Sequence, residues 1–125
     1  MRAATPVVLL LAAALAAGCG GSGGATTRDA TTAVTISVWP KGQGKGPAVT
    51  AQLVCDPVSG TLPDAQAACA VLASKAGRTA LAPTPPDTAC TELWGGPAEA
   101  RIEGTIDGES VDARLSRANG CEIAR

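Results

Sequence analysis

The chain has 125 residues, enough for one domain, and a net charge of −1 leaves no electrostatic case for binding nucleic acid. It contains no histidine, which removes the usual general base, the Ser-His-Asp and Cys-His nucleophile systems and most zinc sites. No enzyme, metal site or cofactor is therefore expected. Two Trp and no Phe or Tyr mean that the core is built from Val, Leu, Ile and Ala. Such side chains bury little area each, so a domain of this size needs staples, and five Cys are present to supply them.

Residues 1–18 read as a secretory signal. Arg2 gives a positive start, and Val7 to Ala17 form an apolar run too short for a permanent membrane helix. The run ends in LAAGC, Leu15 to Cys19, which is similar to a bacterial lipobox. Lipidation of Cys19 also accounts for the odd number of cysteines. Ordinary cleavage near Ala17 would instead leave Cys19 as a free thiol. Residues 19–33 then form the lipidated cysteine and a Gly/Ser/Thr-rich flexible tether, spanning about 20 Å root-mean-square as a coil. This leader places the protein outside the cell, held to the outer face of the membrane only through its lipid anchor.

The folded domain is expected over residues 34–125. Val34, Ile36 and Val38 alternate with Thr35 and Ser37, the period of a half-buried strand that ends at Trp39-Pro40. Gly42 to Gly46 are a turn rather than a phosphate loop, because the Walker pattern is absent and Pro47 with a second strand follows. Val49, Ala51 and Leu53 alternate on that second strand, which leads to Cys55. Asp56-Pro57 and Ser59-Gly60 are turn signals. Pro63 and Asp64 suit the start of a helix. Ala65, Ala68, Cys69, Leu72 and Ala76 share one helical face, and Gly77 is expected to cap its C-terminus. Arg78 to Pro86 read as irregular, with Pro85-Pro86 holding the chain extended.

The stretch DTACTELWGGP, Asp87 to Pro97, follows. It reads as a surface loop held extended by a cysteine at its start. Its Gly95-Gly96 pair raises conformational entropy on the downstream side, which Pro97 partly offsets. Ala98, Ala100, Ile102 and Ile106 then share one face of a strand. Asp107-Gly108 is a two-residue hairpin signal, and Val111, Ala113 and Leu115 face inward on the return strand. Asn119-Gly120 turns again before Cys121. Four cysteines in the domain allow three pairings, and sequence-local pairing, Cys55–Cys69 and Cys90–Cys121, suits the elements best. No CxxC pair exists, which argues against a zinc ribbon or a thioredoxin-like site.

From Leu53 to Ile123 the chain resembles the bacterial secreted subtilisin inhibitor family, through LVCDPVSGTLPDAQAACAVL, ACTELW, IEGTIDGESV and SRANGCEI in that order and spacing. The resemblance implies an α+β fold: a five-stranded antiparallel sheet with two short helices on one face. It implies the two local disulfides, often a homodimer, and inhibition of serine proteases by a substrate-mimic loop. In that family the presented bond begins two residues after the third structural cysteine, which here is Glu92–Leu93. Glu92 would fill the protease's primary pocket, with Cys90 and Thr91 before it and Leu93 and Trp94 after it. Asn119 matches a family Asn whose amide supports the loop, although an Asn before Gly is equally a turn residue. Family members commonly carry Met or Lys where Glu92 stands. A carboxylate is costly in an apolar pocket, so the partner is expected to be a glutamyl-specific protease more than an ordinary subtilisin-like one. The alternative is a non-inhibitory lipoprotein domain on the same fold that presents Trp94 to another protein.

Overall fold

Two rows of mostly small apolar residues run across one face of a single sheet, and they fix its register. In the computed structural model, which describes residues 30–125, the strands are β1 (Thr32–Trp39), β2 (Val49–Cys55), β3 (Ser59–Gly60), β4 (Glu99–Ile106) and β5 (Glu109–Leu115). All pairings are antiparallel and the spatial order is β3-β2-β1-β4-β5. Val34 lies opposite Leu53 and Gly104, and Gly104 lies opposite Val111. Ile36 in turn lies between Ala51 and Ile102, with Ala113 beyond. A slip of one residue would turn each of these rows to the other face, so the alternation specifies the pairing. The leader, Cys19 and most of the tether lie outside the described residues.

The domain begins earlier than residue 34. Thr32 and Ala33, expected to belong to the tether, are the first residues of β1. Thr32 is buried at 5% exposure, and its hydroxyl accepts a hydrogen bond from the Asp107 amide at 3.0 Å. The Gly108 amide donates to the Thr31 carbonyl at 2.7 Å. The β4–β5 turn thus fastens the start of the sheet, a contact 75 residues away in sequence. Asp107 and Gly108 both adopt positive φ, 50° and 80°, as a two-residue hairpin turn requires.

The helical layer has the two short helices that the resemblance implies, where apolar spacing alone read as one helix. Helix α1 (Ala65–Ala73) stops at Ser74, and α2 (Lys75–Leu81) begins directly after it. Ser74 is extended, its hydroxyl donates to the Val71 carbonyl at 2.7 Å, and the same oxygen accepts from the Gly77 amide at 3.0 Å. A serine oxygen competes with the helical ladder and serves well as an N-cap, so it ends one helix and starts the next. Gly77 is therefore not a C-cap. It is buried inside α2, where a Cβ would collide with the Val71 carbonyl. Ala76 is exposed, and Arg78 to Leu81 are helical rather than irregular.

Helices and sheet meet in a thin core. Val34, Leu53, Leu72 and Ile106 form its centre, and only Leu53 reaches 0% exposure. Cys55 and Cys69 pack against this cluster, and their disulfide, with Cα atoms 5.7 Å apart, ties β2 to α1. A sequence separation of 14 makes that staple worth about 3 kcal/mol in the chain-entropy account. A one-turn helix, α3 (Gly120–Ile123), follows β5 and stands where a turn was expected.

The sheet's other face is polar. There Arg101 grips Asp112 with two hydrogen bonds of 2.8 Å and pairs with Glu103 at 3.0 Å. The hydrogen bond from Arg101 is the main reason that the Asp112 carboxyl sits below its ordinary value. This contribution is present above the unfolded carboxylate range and is lost as the pH falls through the depressed folded value. Asp112→Asn should therefore lower the melting temperature modestly at pH 7. The gap to the parent should close as the pH drops below about 4, as thermal melts across pH would record.

Candidate functional site

Between α2 and β4 the chain crosses the surface without regular structure, from Ala82 to Ala98 apart from a turn at Pro86-Asp87. Within this stretch Thr91, Glu92, Leu93 and Trp94 are all exposed, Leu93 at 64% and Trp94 at 69%. Two large apolar side chains side by side in water are an unusual expense for a domain with so thin a core.

These exposed residues are clamped at both ends. On the upstream side Cys90 is bonded to Cys121, with Cα atoms 5.3 Å apart. One residue further on, the Thr91 carbonyl accepts a hydrogen bond from the Gly120 amide at 2.9 Å. On the downstream side the Gly95 amide donates to the Arg117 carbonyl at 2.7 Å. All three ties end on one short segment, residues 117–121. The free span between the backbone bonds is only Glu92, Leu93 and Trp94.

Local sequence explains the clamp. Gly120 packs close against Thr91: a Cβ there would fall onto the Thr91 hydroxyl and crowd its Cβ at 3.2 Å. Gly95 is constrained in the same way: a Cβ would come within 2.9 Å of Ile123 and 3.0 Å of the Arg117 side chain. The expected loosening at Gly95-Gly96 is thus corrected at Gly95. That glycine allows close approach to the anchor segment, and its amide is one of the ties. Gly96, at φ 122°, then turns the chain towards β4.

Asn119 is placed beside the loop but acts differently from the expectation. Its side-chain oxygen accepts from the Glu122 amide at 3.0 Å and caps α3. The bond to the loop comes instead from the backbone of its neighbour Gly120. Asn119-x-x-Glu122 is an N-cap spacing, a signal by which this helix could have been found.

Glu122 and Arg125 were not singled out by sequence reasoning. Glu122 accepts from the Thr84 hydroxyl at 2.8 Å and pairs with Arg125 at 2.7 Å, and Arg125 donates to the Ala80 carbonyl at 3.1 Å. These partners are 38 and 45 residues apart, beyond the reach of any local pattern.

An α+β domain that uses a disulfide and two backbone hydrogen bonds to expose three residues is a loop-presenting domain. The chain belongs to the subtilisin inhibitor-like family, which matches residues 28–119. That match takes in the β1–β2 hairpin as well as the part from Leu53 onward. Among solved structures the chain is similar to Streptomyces caespitosus sermetstatin in complex with Bacillus licheniformis subtilisin. The two share 24% identity over 74% of this chain and 87% of that one, with a TM-score of 0.50, a likeness of fold. No curated protein matches the sequence.

The clamp predicts how substitutions behave. Gly120→Ala should push against the Thr91 side chain and so loosen the upstream tie, whereas Gly96→Ala meets no neighbour within 4 Å. Limited proteolysis should therefore cut the Gly120→Ala variant between residues 91 and 95 at least tenfold faster than the parent. Any cutting of Gly96→Ala should be slower than that, because only local backbone strain at a positive φ is added.

Proposed function

We propose that this domain inhibits serine proteases by presenting the Glu92–Leu93 bond to the enzyme as a substrate would, and that it is not an enzyme itself. Family membership supports inhibition over a non-inhibitory binding module. The observation that carries the proposal is the convergence of all three loop ties on residues 117–121.

A free peptide loses conformational entropy on binding, is cut, and leaves as two pieces. A loop already fixed by its scaffold loses little, so more of its contact energy appears as affinity. Were Glu92–Leu93 cut, the new carboxyl end would still be held through Thr91 and the Cys90–Cys121 bond. The new amino end would still be held through Gly95. Both ends would stay on the same short segment, at an effective concentration high enough for re-ligation to compete with hydrolysis. The Cys90–Cys121 staple, with a sequence separation of 31, contributes about 3–4 kcal/mol to holding the fold around that segment.

Glu92 selects the partner. Its carboxylate enters a protease's primary pocket favourably only where a cation or several N–H donors receive it. The fitting target is a glutamyl-specific serine protease, with a subtilisin-like enzyme of apolar pocket bound more weakly. Two disulfides suit an oxidising compartment, in keeping with an extracellular domain held at the membrane by a lipid on Cys19.

Titration of the domain against a glutamyl-specific protease and an ordinary subtilisin tests the reading. Stoichiometric, slowly reversible inhibition of the former is expected, and rapid cutting after Glu92 in both would overturn it. Glu92→Met should tighten inhibition of subtilisin by about 100-fold, equivalent to about 2.7 kcal/mol, and weaken that of the glutamyl-specific enzyme.

A further inference from the structure

The residue after Cys121 carries a second device. The Glu122 side chain is 17% exposed and that of its partner Arg125 13%, in a domain whose other ion pairs are more open to solvent. Both carboxylate oxygens are engaged. One accepts from the Thr84 hydroxyl at 2.8 Å, and the other receives Arg125 at 2.7 Å. Arg125 in turn donates to the Ala80 carbonyl on α2 at 3.1 Å and to the Arg114 carbonyl on β5 at 3.4 Å. A single turn of helix, α3, is thus bolted to the helical layer, to the sheet and to the Pro-rich approach that leads into the loop.

Apart from the Asn119 cap and the disulfide, little else holds that turn. Four residues cannot form a stable helix on their own, and none of them is buried. Yet α3 begins with Gly120, whose amide holds the Thr91 carbonyl, and continues with Cys121, the fixed end of the disulfide. A disulfide restrains distance but leaves its partner free to rotate about several bonds. The direction of the Gly120 N–H therefore depends on the orientation of α3, and the geometry ties that orientation to Glu122.

We infer that Thr84, Glu122 and Arg125 form a positioning network for the reactive loop: by fixing α3 they hold Thr91 in register and decide whether the bound loop resists cleavage. Thr84 is the informative handle. It is six residues upstream of Cys90, carries one hydroxyl into the network, and makes no part of the presented segment. The cleavage readout rests on the proposed inhibitory role of Glu92–Leu93, whereas the exchange readout needs no protease.

The test compares Thr84→Val, which keeps shape but loses the hydroxyl, with Thr84→Ser, which restores it. Amide hydrogen exchange is followed at Gly120, Gly95 and Leu53, and the steady-state kcat and KM for cutting at Glu92–Leu93 are measured with a glutamyl-specific protease. In Thr84→Val, exchange at Gly120 and kcat for cleavage should each rise about tenfold, the loss of one hydrogen bond to a charged group. Exchange at Leu53 and KM should stay within twofold, and Thr84→Ser should return every value to that of the parent. Unchanged exchange at Gly120 would overturn the inference, as would a parallel rise at Gly120 and Leu53, which marks general destabilisation. Should the parent prove neither inhibitory nor cut at Glu92–Leu93, the inhibitory reading fails, and the exchange data alone still decide the role of the network.

Discussion

Everything distinctive in this molecule depends on both ends of one exposed segment being tied to the same five residues. A loop anchored to two separate elements would move whenever those elements moved relative to each other. Here the upstream carbonyl of Thr91, the downstream amide of Gly95 and the disulfide of Cys90 all converge on residues 117–121. The span between the anchors cannot change unless that short segment changes. Two glycines at the contact, Gly95 and Gly120, leave room there for the side chains of Thr91, Arg117 and Ile123.

The rest of the fold can be seen as what keeps that segment in place. The core is thin, because Val, Leu, Ile and Ala are the only hydrophobic building blocks available in quantity and helices cover just one face of the sheet. Hydrophobic burial alone would leave such a domain marginal. The Cys55–Cys69 bond compensates where the helical layer meets the sheet, and the Cys90–Cys121 bond does so where the loop meets its anchor. The β4–β5 turn fastens the first residues of β1, the central strand.

Much of this was legible in the residues. Strand alternation gave the core-side faces of β1, β2, β4 and β5, because a period of two allows only two answers and the other would expose Val34, Leu53 and Ile106; at the far end of that face Val38 and Val49 are exposed. Asp107-Gly108 marked its hairpin because positive φ at two successive positions demands such residues. The helix break at Ser74 was not legible. The apolar spacing runs on through Ala76, and a hydroxyl that caps rather than faces solvent is distinguished only by the tertiary fold. Gly95 was misread for a related reason. A glycine in a loop implies freedom when the chain is considered alone, whereas here the missing side chain is what permits a fixed contact. Of the support from Thr84, Glu122 and Arg125, only the three-residue spacing of Glu122 and Arg125 is local; Thr84 and Ala80 are remote in sequence, and each is an ordinary surface residue type.

The central claim is that the clamp holds the two sides of Glu92–Leu93 together whether or not the bond is intact. It is tested most directly by incubating the intact domain, and separately the domain already cut at that bond, with catalytic amounts of a glutamyl-specific protease and following the intact fraction by mass. The account predicts that both samples converge on one mixture containing a substantial share of intact chain. Complete accumulation of the cut form from the intact sample, with no bond re-formed in the other, would contradict it.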